Sequence, residues 1–314
     1  MRYISELREG EMVSETYFCK KKTIANTKAG KTYYSLTLQD KTGTVDAKVW
    51  ELSNAIEHFE DLDYIHIDAQ VTSFNNALQL NVKRARIAAE GTYDVADYMP
   101  SSENDTNEMY NRLLALVDGV NNEYLNKLLS AFFKEDAAFI KNFKTHSAAK
   151  SIHHGFIGGL LEHSLSVAEL CEFMAGHYTF LKHDLLVTAA LLHDIGKVEE
   201  LSDFPENDYT DEGQLIGHIV MGAMMIRRKI DAIDGFPKKL ADELTHCILA
   251  HHGELEYGSP KKPALAEALA LSHADNIDAK MESFKEVLAG AGEKKDWLGY
   301  NKMFESNIRA TSEI

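Results

Sequence analysis

The chain has 314 residues, 45% of them hydrophobic and 26% charged, with a formal net charge of −16. That length accommodates two domains or one large one with a sizeable core, and so acidic a balance excludes a general polyanion binder, because phosphate contacts need Lys and Arg. No run of about 18 apolar residues occurs and "MRYISELREGEMV" lacks a signal-peptide core, which excludes a membrane span and predicts a cytoplasmic protein.

Residues 1–100 hold 12 basic and 15 acidic residues, a net of −3, so most of the negative charge lies beyond them. Within this part, "KTYYSLTLQD" alternates Tyr34, Leu36 and Leu38 with Ser35, Thr37 and Gln39, the period of a strand. "DKTG" (Asp40 to Gly43) is turn chemistry, and "TVDAKVW" resumes the alternation with Val45, Ala47 and Val49 on one side. A short helix is expected around "SNAIEHF". Then "YIHIDAQVTSF" and "ALQLNVKRARI" read as two strands joined at Asn75 and Asn76. About five antiparallel strands in roughly 90 residues predict a small all-β barrel.

At "YMPSSENDTNEMY" the pattern breaks, and Ser101, Ser102 or Asp105 could cap a following helix. Helical periodicity takes over in "NRLLALV", "EYLNKLLSAFF", "EHSLSVAELCEFMAGH", "HDLLVTAALLHDIGK", "GHIVMGAMMIRRKI", "KLADELTHCILAHHG" and "ALAEALALSHADNIDAKME". The predicted organisation is a barrel over 1–95, a helical linker or extension over 96–145, an all-α domain over 146–285 and a tail over 286–314. The tail "GEKKDWLGYNKMFESNIRA" is polar with a few aromatics, and either docks or stays mobile. Three separated cysteines, Cys19, Cys171 and Cys247, form no CxxC pair and fit a reducing compartment.

Of 14 histidines, 12 fall between His146 and His273. Several adjoin apolar sequence: His163 in "LLEH", His193 and Asp194 in "LLHD", His251 and His252 in "ILAHH", Asp275 in "LALSHAD"; His218 opens a helix. Burying such groups uncompensated costs roughly several kcal/mol each, and a shared divalent cation removes that cost, since imidazole nitrogens and carboxylate oxygens are metal ligands. With two cations about 3.5–4 Å apart, one Asp194 carboxylate could bridge them. Taken singly, His163 or Asp275 reads as a satisfied core group and His218 as an ordinary first helical residue; seven such residues in order on five helices read as a metal site. Lys197, one helical turn after His193, is expected to set its ammonium against a phosphate oxygen, which makes Asp194 and Lys197 the candidate catalytic pair. His154 is a candidate substrate contact beside His153. His177, His183, His246 and His273 read as surface or supporting groups, and His146 is left unassigned.

The order H…HD…H…HH…D, with "LLHDIGK" at its centre, resembles the HD-domain superfamily of metal-dependent phosphohydrolases over about residues 145–285. The resemblance implies a first metal site of His163, His193, Asp194 and Asp275. It implies a second of His218 and His251 or His252, bridged by Asp194. The donor set suits manganese, iron, cobalt or zinc, and the resemblance points to Mn²⁺.

"YFCKKKTIANTKAGKTYYSLTLQDKTGTVDAKVW" resembles the first three strands of an OB fold, a barrel that binds single-stranded nucleic acid. Lys20, Lys21, Lys22, Lys28 and Lys31 make one basic cluster, and Lys83, Arg84 and Arg86 another. Tyr33, Trp50 and Phe74 are candidate stacking platforms, each base worth about 1–3 kcal/mol, with Lys48 between them. The same side chains read equally well as barrel filling and a solvated edge. An OB fold followed by an HD domain resembles the YhaM family of 3′-5′ exoribonucleases from Gram-positive bacteria. That implies a manganese-dependent hydrolase trimming single-stranded RNA, or single-stranded DNA, to nucleoside 5′-monophosphates. One alternative is an HD-type cyclic-dinucleotide or nucleotide phosphodiesterase, although "GELEYGSPKKP" departs from the Gly-Tyr-Pro signature of the cyclic-dinucleotide enzymes. Another is a non-catalytic single-stranded nucleic-acid binder with structural metals, although no Cys-rich closed site is present. A homo-oligomer is compatible with the apolar "IVMGAMMI" and "YLNKLLSAFF", which core packing explains as well.

Overall fold

The computed structural model describes residues 1–27, 29–74, 77–99, 101–102, 104–149, 155–290 and 296–312, in two compact units. One comprises Met1–Ser101 with Asp203–Asn207, the other Ser102–Ser202 with Asp208–Ile314.

In the first unit, β1 (Met12–Asn26), β2 (Thr32–Asp40), β3 (Gly43–Val49), β4 (Tyr64–Phe74) and β5 (Ala77–Ile87) close into a barrel in the order β1-β2-β3-β5-β4. The β3–β5 pair is parallel and the other pairs are antiparallel. Period-two sequence becomes structure directly: Leu36, Leu38, Val45, Ala47, Val49, Ile65, Ile67, Ala69 and Val71 all face inward and are buried. Irregularities at Cys19/Lys21 and at Asp68/Ala69 bend the long strands so that β1 pairs with β2 along one part and β4 along another. The join at Asn75 and Asn76 lies outside the described residues.

The segment "SNAIEHF" is not helical. Its backbone groups find partners on β5 instead, Glu57 N–H donating to Ala85 O and Ala85 N–H to Ala55 O at 2.8 and 3.1 Å. The only large apolar residues it offers are Ile56 and Phe59, and Phe59 is needed inside the barrel, where it is 1% exposed.

In the second unit, α1 (Thr106–Gly119), α2 (Glu123–Phe133) and α3 (Ala137–Thr145) each start at a side-chain cap, Asp105, Asn122 and Asp136 respectively. Their apolar faces, including Leu113, Phe132 and Phe143, belong to the same core as the helices that follow. These are α4 (Gly159–His177), α5 (His183–Leu192), α6 (Lys197–Glu200), α7 (Asp211–Ile216), α8 (His218–Asp231), α9 (Lys238–Leu249) and α10 (Ala266–Ala289). Helix α5 is apolar all round, and every residue from Leu185 to Leu192 is buried. It packs against α1, α2, α4, α9 and α10, so whatever follows its C-terminus also emerges inside the protein. In the tail, β6 (Trp297–Asn301) and β7 (Ser306–Arg309) form an antiparallel hairpin whose Phe304 packs on Phe284 of α10. No helix among the described residues is long and apolar enough to cross a membrane. All three cysteines are buried and unbonded.

Candidate metal centre

Helix α5 stops at Leu192, and the turn 193–196 leads into α6. That turn carries His193 and Asp194 into the interior, where both are at most 2% exposed. Around them gather His163 from α4, His218 from the start of α8, His251 and His252 from the turn after α9, and Asp275 from α10.

The ligand-type atoms fall into two groups. His163, His193 and Asp275 form one, and His218, His251 and His252 form the other. Both of the adjacent histidines stand with His218, not one of them. Asp194 lies between the groups and divides its oxygens: Oδ2 is 3.5 Å from His163 Nε2 and 3.4 Å from His193 Nε2, while Oδ1 is 3.5 Å from His218 Nε2 and 3.6 Å from His251 Nε2.

The far side of each ring is tied down. Nδ1 of His193, His251 and His252 donates to the carbonyl oxygens of Ala190, Ile248 and Tyr257 at 2.7, 2.7 and 2.9 Å. Nδ1 of His163 and His218 meets carboxylates, Asp278 at 2.7 Å and Glu200 at 2.9 Å. Carbonyl and carboxylate oxygens only accept, so all five rings carry their proton on Nδ1 and turn the Nε2 lone pair toward the centre.

That arrangement demands positive charge. His163 Nε2 and His193 Nε2 face each other at 3.2 Å, although two lone pairs cannot bond. Asp194 Oδ1, His218 Nε2 and His251 Nε2 are buried and make no hydrogen bond. Such groups are costly unless a cation satisfies them. A proton is the other candidate, and the electrostatics favour one on His163. Burial alone would push that imidazole down, but its contacts with Asp194, Asp275 and Asp278 hold its pKa well above the usual value. Against the opposing effect of burial, Lys197 and His193 hold Asp194 well below the carboxylate range, and His163 and His193 do the same for Asp275. Burial pushes His251 and His252 down, which keeps them neutral and able to ligate. The residues therefore fit divalent cations, one per group, with Asp194 shared.

Lys197 differs from its expected place. It is not one turn along the helix of His193, because α5 ends first and Lys197 opens α6. Its ammonium sits 2.6 Å from Asp194 Oδ2, and that carboxylate keeps the lysine charged despite burial. The turn lies hard against α8: a Cβ at Gly196 would come 2.1 Å from His218 O. His153 and His154 lie outside the described residues. Of the other histidines, His183 sits between Glu172 and Asp184, at 2.6 and 2.8 Å, and His246 accepts from Ala264 N–H. Glu200 and Asp278 were missed in the sequence. Asp278 had a signal, since it follows Asp275 by three residues on one helix and so shares its face; Glu200, reaching back from beyond a turn, had none.

On the barrel, Tyr33 and Trp50 stack with ring centroids 4.6 Å apart on the outward side of β2 and β3, and Trp50 is 40% exposed. Lys48 donates to Ser35 on the same side at 2.6 Å, and its register partner on β5 is Asn81. Lys83, two residues further along β5, is exposed, as is Arg84, which lies 4.0 Å from Asp68. Phe74 is exposed at the end of β4. Lys22 does not join the basic surface. Its ammonium donates to Phe59 O and lies 4.9 Å from the ring centroids of both Tyr34 and Phe59, a buried structural role set by the plug residue Phe59. Lys28 lies outside the described residues.

The HD domain family matches residues 160–280. The 3′-5′ exoribonuclease YhaM of Geobacillus sp. (strain WCH70) is 32% identical over 281 residues, which covers 89% of this chain and 86% of that one. The barrel is similar to the second OB-fold domain of replication protein A from Methanococcus maripaludis, at 20% identity over 30% of this chain and 98% of that one, with a TM-score of 0.24. A replication protein A heterotrimer bound to ssDNA matches at 14% identity over 28% of this chain and 64% of that one, with a TM-score of 0.22. With a closed five-stranded OB-type barrel ahead of a helical HD domain, and a relative so similar over most of both lengths, the chain belongs to the YhaM family of 3′-5′ exoribonucleases.

Proposed function

We propose that this chain hydrolyses single-stranded RNA from its 3′ end to nucleoside 5′-monophosphates, using two divalent cations. The observation that carries the reading is the carboxylate of Asp194, with one oxygen toward each group of imidazoles. His163, His193 and Asp275 would hold one cation and His218, His251 and His252 the other, with Asp194 common to both. Bound there, such cations supply a water of lowered pKa and offset the charge that develops on phosphate. Mixed nitrogen and oxygen donors accept manganese, iron, cobalt or zinc, and within this family we assign Mn²⁺.

The protein's own groups do the rest. Asp278 and Glu200 hold the rings so that only Nε2 faces inward. Lys197 is paired with Asp194 at 2.6 Å; its ammonium would be the group that meets a non-bridging phosphate oxygen of the substrate. Partial exposure of His218, His252 and Asp275 leaves the centre open to substrate, while His193 and His251 are fully buried. On the barrel, Tyr33 and Trp50 would stack on bases and Lys48, Lys83 and Arg84 would follow the phosphates; Phe74 extends the same role. His154 is a further proposed substrate contact. Buried, unbonded cysteines suit a reducing cytoplasm.

The test is to give the purified chain Mn²⁺ with 5′-labelled single-stranded RNA, a cyclic dinucleotide and bis-p-nitrophenyl phosphate. A ladder of 3′-shortened RNA with release of 5′-monophosphates is expected. Linearised dinucleotide with intact RNA, or RNA retained without cleavage, would replace this reading with a phosphodiesterase or a binding protein. Asp194→Ala should abolish turnover on RNA and on the small ester alike; near-normal turnover would contradict the shared carboxylate.

A further inference from the structure

The acceptors behind the five rings are of two kinds. Three are main-chain carbonyl oxygens, which no side-chain substitution removes, and two are carboxylates, one in each group: Asp278 behind His163 and Glu200 behind His218. A carboxylate differs from a carbonyl in carrying full charge. It pins the Nδ1 proton more firmly and makes Nε2 a stronger donor to a cation.

Glu200 is built into the frame at several points. Oε1 accepts from both the Nδ1–H and the backbone N–H of His218, each at 2.9 Å, so one oxygen orients the ring and caps the first residue of α8. Its carbonyl accepts from Thr210 N–H at 2.9 Å. A Cβ at Gly213 would come 2.2 Å from that carbonyl, so α7 can lie against Glu200 only with glycine there. The side chain is 11% exposed and pairs with His218, while the Lys197 ammonium acts on it from further away.

We propose that Glu200 is a positioning residue for the second cation: through His218 it sets the affinity of the His218, His251 and His252 group and leaves the His163, His193 and Asp275 group unchanged. The inference rests on the two-cation reading above. A neutral amide at position 200 loses the charge. It can also turn its NH₂ toward Nδ1, which moves the ring proton to Nε2 and blocks the ligand position. The expected loss for the second cation is about 10–100-fold in affinity.

Metal-stripped full-length protein would be titrated with Mn²⁺ by calorimetry, and bound metal counted by mass spectrometry after gel filtration. The wild-type chain should take up two cations. Glu200→Gln should keep one at wild-type affinity and weaken the other about 10–100-fold, and Asp278→Asn should show the reverse assignment. His218→Ala should also lose the second cation, and adding Glu200→Gln to it should change nothing further. Two cations at wild-type affinity in Glu200→Gln, or additive losses in the double variant, overturn this inference alone. A wild-type chain that takes up no cation overturns the parent reading along with it. Should Glu200→Gln fail to fold by circular dichroism, ¹⁵N-histidine NMR of the wild-type chain decides: a protonated Nδ1 on His218 supports the proposal and a protonated Nε2 overturns it.

Discussion

Gly196→Ala isolates the contact on which the candidate centre is assembled. The backbone at Gly196 has φ −64° and ψ −19°, which alanine adopts without strain. In open space the change would even stabilise the chain, by about 0.4–1 kcal/mol, through the entropy of the unfolded state. The space is not open. The new Cβ would stand 2.1 Å from His218 O, 2.7 Å from Gly222 N and 2.9 Å from His218 C, all of them backbone atoms that cannot swing aside. Relief to an ordinary contact of about 3.4 Å requires α8 to retreat by roughly 1 Å, and overpacking of this kind costs about 1–3 kcal/mol or more. The clash therefore outweighs the entropic gain. In a unit of this size that amounts to about 2–10 °C in Tm. The same retreat carries His218 Nε2 away from Asp194 Oδ1, now 3.5 Å distant, whereas ligand distances tolerate about 0.2 Å. The assay is thermal unfolding by circular dichroism with and without Mn²⁺, alongside calorimetric binding. Lower Tm and a weakened second cation are expected; wild-type Tm and two wild-type affinities would refute the steric reasoning.

Cation binding near neutral pH should release protons, because a cation competes with the proton that Asp194, Asp275 and Asp278 favour on His163 against the effect of burial. Calorimetry in two buffers of different ionisation enthalpy reads this directly, and identical apparent enthalpies would contradict it. For the metal-free chain the sign is fixed. A folded pKa raised above the unfolded value of about 6.5 contributes stability that is complete below that value and is lost as pH climbs through the folded pKa, so Tm should fall on the alkaline side. Trp50→Ala should weaken single-stranded RNA binding by about 1–3 kcal/mol while hydrolysis of bis-p-nitrophenyl phosphate stays unchanged; equal losses on both would deny the barrel face its role. Lys22→Met should lower barrel stability by about 1–2 kcal/mol, from the lost contacts with two rings, yet leave the salt dependence of RNA binding intact. A shallower salt slope would return Lys22 to the basic surface.

Much was legible from residue order because it depends on local chemistry. Alternation in "KTYYSLTLQD" and "TVDAKVW" specifies strands with one buried face whatever lies opposite, and "LLVTAALL", apolar but for one threonine, specifies a helix that must be surrounded. Ionisable residues abutting such helices marked themselves as compensated, since burial penalises them unless something pairs with them. "SNAIEHF" misled because its helical character is weak and its hydrogen bonds were available from β5, a strand about 30 residues away.

What only the tertiary structure decided is every relation among groups distant in the chain. His163 meets Asp278 across 115 positions, and Lys22 meets Phe59 O across 37. That Asp194 turns one oxygen to each group, that both His251 and His252 stand beside His218, and that Glu200 and Asp278 stand behind the rings all follow from how the helices pack around α5. Residue type determines which side chains can ligate, stack or pair. Direction and distance are set by the packing of apolar faces, and a packed interior admits few arrangements.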